Sequence, residues 1–168
     1  MDRTAATLGG LDVLVNNAGI YATGTVDELT VEEIDRAFAI HVRAVFVAVR
    51  AAVRYMPRGG RVITIGSISA ERAPWPGTSL YSATKSALVG LTKGIARDLG
   101  PRGITAVLVQ PGPVATEMNP ETDAVRDMTA LGTYIPPEHI AALAAHLAGD
   151  GGSYITGSAV TIDAGATA

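Results

Sequence analysis

Apolar positions along the chain follow two patterns, and their alternation predicts strands separated by helices. Three runs are almost continuously apolar and rich in β-branched residues, which is typical of strands buried on both faces of a parallel sheet. These runs are LDVLVN at 11–16, RVITIG at 61–66 and ITAVLVQ at 104–110. A short fourth strand is predicted at 159–162.

The segments between the strands carry helix signals. Thr30 and Glu33 form a capping-box sequence, which predicts a long helix that ends near Met56. The apolar stripe of this helix includes Ile34, Phe38, His41, Val45 and Val49. Other helices are predicted at 3–8, 79–100 and 137–148, with a short one near 121–131.

Strands joined by helices of this length need crossover connections, so the sheet is predicted to be parallel and the fold to be doubly wound α/β. No internal repeat or linker divides the chain, which predicts one domain over 1–168. Ligands bind such sheets beyond the carboxyl ends of the strands. Segments 16–19, 66–67 and 111–112 follow those ends, and we expect them to converge on one rim.

Composition narrows the class of protein. The chain has 168 residues, of which 48% are hydrophobic and 17% are charged, as in a compact globular protein. A net charge of −3 argues against a nucleic-acid partner, and the lack of cysteine excludes disulfides and thiolate metal sites. No apolar run resembles a signal peptide or is long enough to span a bilayer. We therefore expect a soluble, cytoplasmic protein with no membrane partner and no metal.

Tyr81 and Lys85 supply the first candidate chemistry. They are four residues apart on a predicted helix, so both project from the same face. A neighbouring ammonium favours the phenolate, which predicts that the pKa of Tyr81 lies below its usual value of about 10. Taken alone, such a pair is more often a solvated helix face.

Three motifs that occur in a set order along the chain show that the Tyr81–Lys85 pair does not stand alone. NNAG follows a strand, Ser67 precedes the YxxxK helix, and the next strand ends in PGxVxT. Together with the closing YITGSAVTIDAG, they make the whole chain resemble the short-chain dehydrogenase/reductase family. The resemblance implies a Rossmann-like fold and NAD(P)-dependent interconversion of a carbonyl and a secondary alcohol by hydride transfer.

The resemblance also implies roles for individual residues. Tyr81 would give or take the proton of a small carbonyl or alcohol substrate, Ser67 would hydrogen-bond the substrate oxygen, and Lys85 would bind the nicotinamide ribose of NAD or NADP. Asn16, Ala18 and Gly19 match the motif beside the adenosine part of the cofactor. Pro111, Gly112, Val114 and Thr116 match the segment at its nicotinamide end.

Each assignment has a structural alternative. Ser67 would also serve as a cap of its loop, and Ser69 is close enough to be confused with it. The residues at 111–113 would also simply end a strand, and Thr116 would also be a local cap. Met118, Met128, Tyr134 and Trp75 suggest an apolar pocket for a medium-sized substrate, although such residues are as often core.

His41 departs from the family pattern, which usually has an asparagine here that holds a water of a proton relay. A single histidine on an apolar helix face is more often a packed core residue. An imidazole titrates near pH 6.5, however, so a substitute role in proton relay is the alternative.

A second departure concerns the cofactor site. A dinucleotide fold binds pyrophosphate at a Gly-rich turn after its first strand, and no such turn precedes LDVLVNNAG. By the family pattern, about 70 residues of strand and helix are missing at ~30 per βα unit, so the fold is predicted to be truncated in its N-terminal half and cofactor binding to be weakened or lost.

This departure predicts that the 11–15 strand is an exposed apolar edge. The chain is then expected either to pair with a second chain or to be a fragment or mis-started form of a longer protein. The apolar stripes of the two long helices, through which family members associate, also predict a homo-oligomer, dimer or tetramer.

Two functions therefore remain open. The motifs favour an NAD(P)-dependent oxidoreductase acting on CH–OH groups. The alternative is a truncated, inactive ligand-binding or interaction protein, because LVQPGPVATEMNP and GSISAERAPWPG resemble a bacterial branch of the family named for cyclic-dinucleotide binding and biofilm dispersal.

Overall fold

The computed structural model describes all residues, Met1–Ala168, and its centre is a parallel sheet of four strands in the order β1-β2-β3-β4. The strands are β1 (Val13–Asn16), β2 (Arg61–Ile65), β3 (Thr105–Pro111) and β4 (Ser158–Ile162). Every neighbouring pair is parallel, so each connection crosses over the sheet. The predicted Rossmann-like α/β architecture is confirmed.

Helices cover both faces of this sheet. They are α1 (Asp2–Leu8), α2 (Val31–Phe38), α3 (Ala44–Ala52), α4 (Ser79–Leu99), α5 (Asp123–Arg126) and α6 (Pro137–Ala148). The Thr30–Glu33 capping box is present at the start of α2. The long helix ends at Ala52, however, and not near Met56, and a turn over residues 53–55 leads to Pro57.

A π-helical turn over Ala39–Arg43 joins α2 to α3. Such a turn adds a residue and shifts the phase of the buried stripe. His41, Val45 and Val49 are buried as predicted, but Phe38 is 39% exposed and Ala37 is fully buried in its place.

Alternate residues of the two central strands pack into two hydrophobic cores, one on each face of the sheet. On one face, Val62 of β2 and Leu108 of β3 pack with α3 and α4. On the other face, Ile63 and Val107 pack with α6 around Leu147. β2 and β3 are therefore packed on both faces, and the candidate site lies beyond their carboxyl ends.

β1 lies at one edge of the sheet, as predicted. Its Leu14 is buried, whereas Val15 is 47% exposed and Val13 is partly buried against the second core, so one face of this strand is only partly covered. None of the helices combines the length and the apolarity that crossing a bilayer requires.

Candidate functional site

A cavity of about 540 Å³ opens at the carboxyl ends of β1, β2 and β3 and is closed on one side by the start of α4. Its volume lies in the usual range for small-molecule sites. The three strand ends that the sequence predicted to converge do so here. Of the residues that the sequence singled out for catalysis or cofactor binding, the cavity is lined by Ala18, Gly19, Ser67, Tyr81, Lys85, Pro111, Gly112, Val114 and Thr116.

Two of those residues lie outside the cavity wall. Asn16 stands on β1 and its Nδ2 donates to Thr64 Oγ1 at 3.2 Å, which ties β1 to β2. His41 is buried beneath the wall with 1% of its surface exposed. The structure therefore separates them from the cavity and gives each a partner inside the protein.

Burial sets the protonation of the Tyr81–Lys85 pair. Lys85 Nζ lies 5.4 Å from the centroid of the Tyr81 ring. Burial of the phenol raises the pKa of Tyr81, while the interaction with the Ser67 side chain acts in the opposite direction. Burial also lowers the pKa of Lys85 to about 8. The expected lowering of the Tyr81 pKa is thus wrong for this structure, because desolvation of the phenol outweighs the opposing effect of Ser67.

Ser67 caps its own loop, which is one of the two interpretations that the sequence left open. Its hydroxyl accepts the backbone N–H of Ser69 at 3.1 Å and caps the short turn Ile68–Ala70. The same side chain interacts with Tyr81 from the end of β2. Ser69 also borders the cavity, but of the two serines only Ser67 affects the pKa of Tyr81.

The presence of glycine at position 112 has a structural reason that does not depend on any ligand. A Cβ atom at this position would lie 2.6 Å from the Cα of Asp163, so only glycine allows the strand end to pack on the C-terminal segment. Thr116 is not a helix cap, because the side chain of Thr122 caps α5 instead.

His41 bridges two elements from its position in the π-helical turn. Its Nε2 accepts the backbone N–H of Ile20 at 3.0 Å, and its Nδ1 lies 2.8 Å from Thr84 Oγ1. Burial, followed by the charge of Lys85, lowers the pKa of His41 to about 4. The burial agrees with the interpretation of His41 as a packed residue.

The apolar wall was predicted in part. Trp75, Met118 and Met128 line the cavity, whereas Tyr134 does not. The Tyr134 hydroxyl donates to the carbonyl of Pro120 and accepts the N–H of Thr122, so this side chain holds the segment ahead of α5 in place.

Three residues near the site were not predicted from the sequence. The ring of Tyr21 meets that of Tyr81 edge to face at 5.0 Å, and Arg72 lies on the cavity wall. Thr84 is fully buried and bonded to His41. Thr84 was detectable from its place inside YSATK, three residues after Tyr81 on the side of α4 that faces the core, but Arg72 carried no sequence signal.

The residues present fit the nicotinamide-ribose part of a cofactor. A Cβ at Gly19 would lie 3.3 Å from His41 Nε2 and 3.8 Å from Lys85 Nζ, so the glycine leaves backbone accessible beside a buried ammonium. That ammonium has three donors, of which one reaches the carbonyl oxygen of Ile65 at 3.4 Å and two remain for ribose hydroxyls. The charged side chains on the cavity wall are Arg72 and Lys85, both cations.

Comparison with known proteins places these features in a wider group. A family model described as enoyl-(acyl carrier protein) reductase matches residues 1–167. The cyclic-di-GMP-binding biofilm dispersal mediator protein of Escherichia coli is 46% identical over 159 residues, which are 92% of this chain and 67% of that protein. The chain thus spans about two thirds of the length of the curated relatives it matches.

Solved structures agree with the sequence comparison. A short-chain dehydrogenase/reductase from Serratia marcescens is 50% identical, with a TM-score of 0.97 over 99% of this chain and 70% of its own. A short chain dehydrogenase from Burkholderia cenocepacia in complex with NADP is 49% identical, with the same TM-score and the same shares covered.

Proposed function

The chain belongs to the short-chain dehydrogenase/reductase family, and from this premise we propose that it is an NAD(P)-dependent oxidoreductase that interconverts a carbonyl and a secondary alcohol. The observation that best supports the proposal is the meeting of Ser67, Tyr81 and Lys85 on one cavity at the ends of parallel strands. When bound, the nicotinamide supplies or accepts the hydride.

Tyr81 is the proton donor in the direction of reduction. Its raised pKa keeps the phenol protonated at neutral pH, which is the form that gives a proton to a carbonyl oxygen. Ser67, which interacts with the same phenol, donates its hydroxyl hydrogen to that oxygen and holds it in position. The Lys85 ammonium binds the ribose hydroxyls and stabilises the phenolate that remains after proton transfer.

The cavity wall favours a medium-sized apolar substrate, since Trp75, Met118 and Met128 line it. Within this proposal the chain is part of one Rossmann-like domain, acts in the cytoplasm as a homo-oligomer, and takes small carbonyl or alcohol substrates.

Cofactor binding and turnover test the proposal. The purified protein is titrated with NADH and with NADPH by nicotinamide fluorescence, and reduction of a panel of apolar ketones is then followed with the cofactor that binds. Tyr81→Phe keeps the ring and removes the hydroxyl, so we expect cofactor binding to persist and kcat to fall about 10²- to 10⁴-fold.

Tyr154→Phe is the matched control, because Tyr154 is almost fully exposed and lies outside the cavity. We expect it to behave as the wild type. Failure to bind either cofactor at millimolar concentration, or full turnover by Tyr81→Phe, would refute the proposed function.

A cyclic dinucleotide is the second candidate ligand. The Escherichia coli relative is named for binding cyclic di-GMP, and the two charged side chains on the present cavity wall, Arg72 and Lys85, suit an anionic phosphodiester. Titration with cyclic di-GMP tests this candidate, with Arg72→Ala expected to weaken binding at least tenfold. Competition with NADPH would place both ligands in the same cavity, and undiminished binding by Arg72→Ala would contradict the candidate.

A further inference from the structure

His41 lies between the loop that follows β1 and the first turns of α4. The π-helical turn Ala39–Arg43 places its ring under the cavity wall, where 1% of the residue is exposed. On one side its Nε2 meets the N–H of Ile20 at 3.0 Å, and on the other its Nδ1 meets the hydroxyl of Thr84 at 2.8 Å. One side chain therefore connects two of the elements that form the cavity.

The hydrogen-bond partners fix the tautomer of this ring. A backbone N–H only donates, so Nε2 of His41 must be the acceptor of the Ile20 bond and carries no proton. The proton of the neutral imidazole then lies on Nδ1, which donates to Thr84 Oγ1. The Thr84 hydroxyl in turn donates its own hydrogen to the carbonyl oxygen of Tyr81 at 2.8 Å.

Both ring nitrogens of His41 and the hydroxyl of Thr84 are thereby engaged in hydrogen bonds. The order runs from the Ile20 N–H through His41 and Thr84 to the backbone of Tyr81, and neither ring nitrogen is free to take up or release a proton toward the cavity. We propose that His41 and Thr84 form a buried clamp that positions Tyr81 against the loop after β1, and that His41 does not relay protons.

Two aromatic rings at the clamp contact Tyr81. The ring of His41 meets that of Tyr81 edge to face at 5.8 Å, and the ring of Tyr21, which follows Ile20 in the chain, meets it edge to face at 5.0 Å. A Cβ at Gly19 would lie only 3.3 Å from His41 Nε2, so the loop rests directly on the imidazole. A small displacement of the ring would move the phenol and the loop together.

Thr84 is the position at which this clamp is tested, because it does not line the cavity. Thr84→Val keeps the shape of the side chain and removes the hydroxyl, and Thr84→Ser restores the hydroxyl. Since misplacement of a reacting group by about 1 Å costs on the order of 100-fold, we expect Thr84→Val to lower kcat about 10- to 100-fold, with little change in cofactor affinity. Thr84→Ser should recover most of the lost rate.

Thr92→Val is the matched control for a buried threonine on the same helix. Thr92 is 5% exposed and lies about 12 Å further along α4, eight residues at ~1.5 Å each. The Thr92→Val variant should leave kcat unchanged.

A clamp and a relay also differ in the pH profile of kcat, to which the titratable neighbours Tyr81, Lys85 and Tyr21 contribute in both cases. The clamp predicts that Thr84→Val lowers the profile without changing its shape, whereas loss of a relay would shift one limb.

The kinetic part rests on the proposed function, and nuclear magnetic resonance of the purified protein tests the clamp without it. The ring nitrogens of His41 should show a neutral Nδ1–H tautomer at pH 7, with a slowly exchanging Nδ1–H. The amide of Ile20 should be protected from hydrogen exchange in the wild type and in Thr92→Val, and should exchange faster in Thr84→Val and in His41→Ala.

The two sets of results separate the hypotheses. An inactive protein with the expected tautomer and Ile20 protection would refute the oxidoreductase and leave the clamp standing. An Nε2–H tautomer, an unprotected Ile20 amide, or a Thr84→Ser variant as impaired as Thr84→Val would overturn the clamp.

Discussion

Burial decides the protonation of the titratable side chains around the cavity. Tyr81 and Lys85 are paired by spacing in the sequence, yet the pKa of Tyr81 is raised and that of Lys85 is lowered, because both lose contact with water. His41 follows the same rule, with a pKa of about 4. In each case the neutral form of the side chain is favoured.

Lys85 gives the first prediction at this scale. Its side chain is an ammonium below pH 8 and loses its proton as the pH rises through about 8. Since the ammonium stabilises the phenolate left on Tyr81, kcat/KM for ketone reduction should fall through that range. A pH profile of kcat/KM for the wild type measures this fall. Lys85→Met is the control, and its kcat/KM should be low and should not fall near pH 8. A wild-type profile that stays level far above pH 8 would contradict the assignment.

His41 gives a second prediction, on stability. Its pKa is about 4 in the folded chain against 6.5 for the free side chain, so between these values the unfolded state binds more protons. Stability should therefore decline as the pH falls from 6.5 toward 4. Chemical denaturation over this range measures the slope, which should be shallower in His41→Asn. The exposed His139→Asn variant should follow the wild type, and equal slopes for His41→Asn and wild type would rule the effect out.

At the scale of elements, the π-helical turn between α2 and α3 is the feature that hydrophobic periodicity could not supply. The capping box fixed where the helix begins, and the apolar stripe identified its buried face after the turn. Phe38 was placed wrongly because the extra residue in the turn rotates everything before it. The same turn directs His41 toward Thr84.

The start of α2 gives a prediction for an element. The Thr30 hydroxyl accepts the N–H of Glu33 at 3.2 Å, and the Glu33 carboxylate accepts the N–H of Thr30 at 2.9 Å. Thr30→Ala removes this cap and should lower the free energy of unfolding by ~1 kcal/mol, as measured by urea denaturation. Thr7→Ala, an exposed threonine inside α1, is the control and should be neutral or slightly stabilising, because alanine has the higher helix propensity. A loss of stability in Thr7→Ala equal to that in Thr30→Ala would contradict a specific role of the cap.

At the scale of the whole molecule, apolar side chains remain exposed along the α2–α3 helix. The neighbouring Phe46 and Val47 are 57% and 49% exposed, and Phe38 on the same helix is exposed as well. Single exposed apolar residues are ordinary, but a cluster marks an interaction surface. This cluster supports the expectation of a homo-oligomer.

Phe46→Glu tests that expectation. A charge in an apolar contact is costly, so the variant should dissociate to a smaller species in light scattering coupled to gel filtration. Val26→Glu is the control, because Val26 is 78% exposed and far from the cluster in the chain. A wild-type protein that is a monodisperse monomer and does not bind an apolar dye would refute the expected association.

Much of the molecule followed from local patterns. Continuous apolar runs located β2 and β3, and caps and glycines bounded the helices. The motif order placed Ser67 after the end of β2 and Tyr81 and Lys85 on the helix that borders the same edge of the sheet. These features depend on spacing along the chain, which the sequence contains directly.

The sequence by itself therefore determined the class of fold, the family, and the location of the cavity. Only the tertiary structure decided the state of the side chains in it, because burial and hydrogen-bond partners arise from residues distant in the chain. Desolvation reversed the expected pKa shift of Tyr81. The bonds from Ile20 and to Thr84, which join His41 to segments 21 and 43 residues away, gave the imidazole a fixed tautomer that no local pattern encodes.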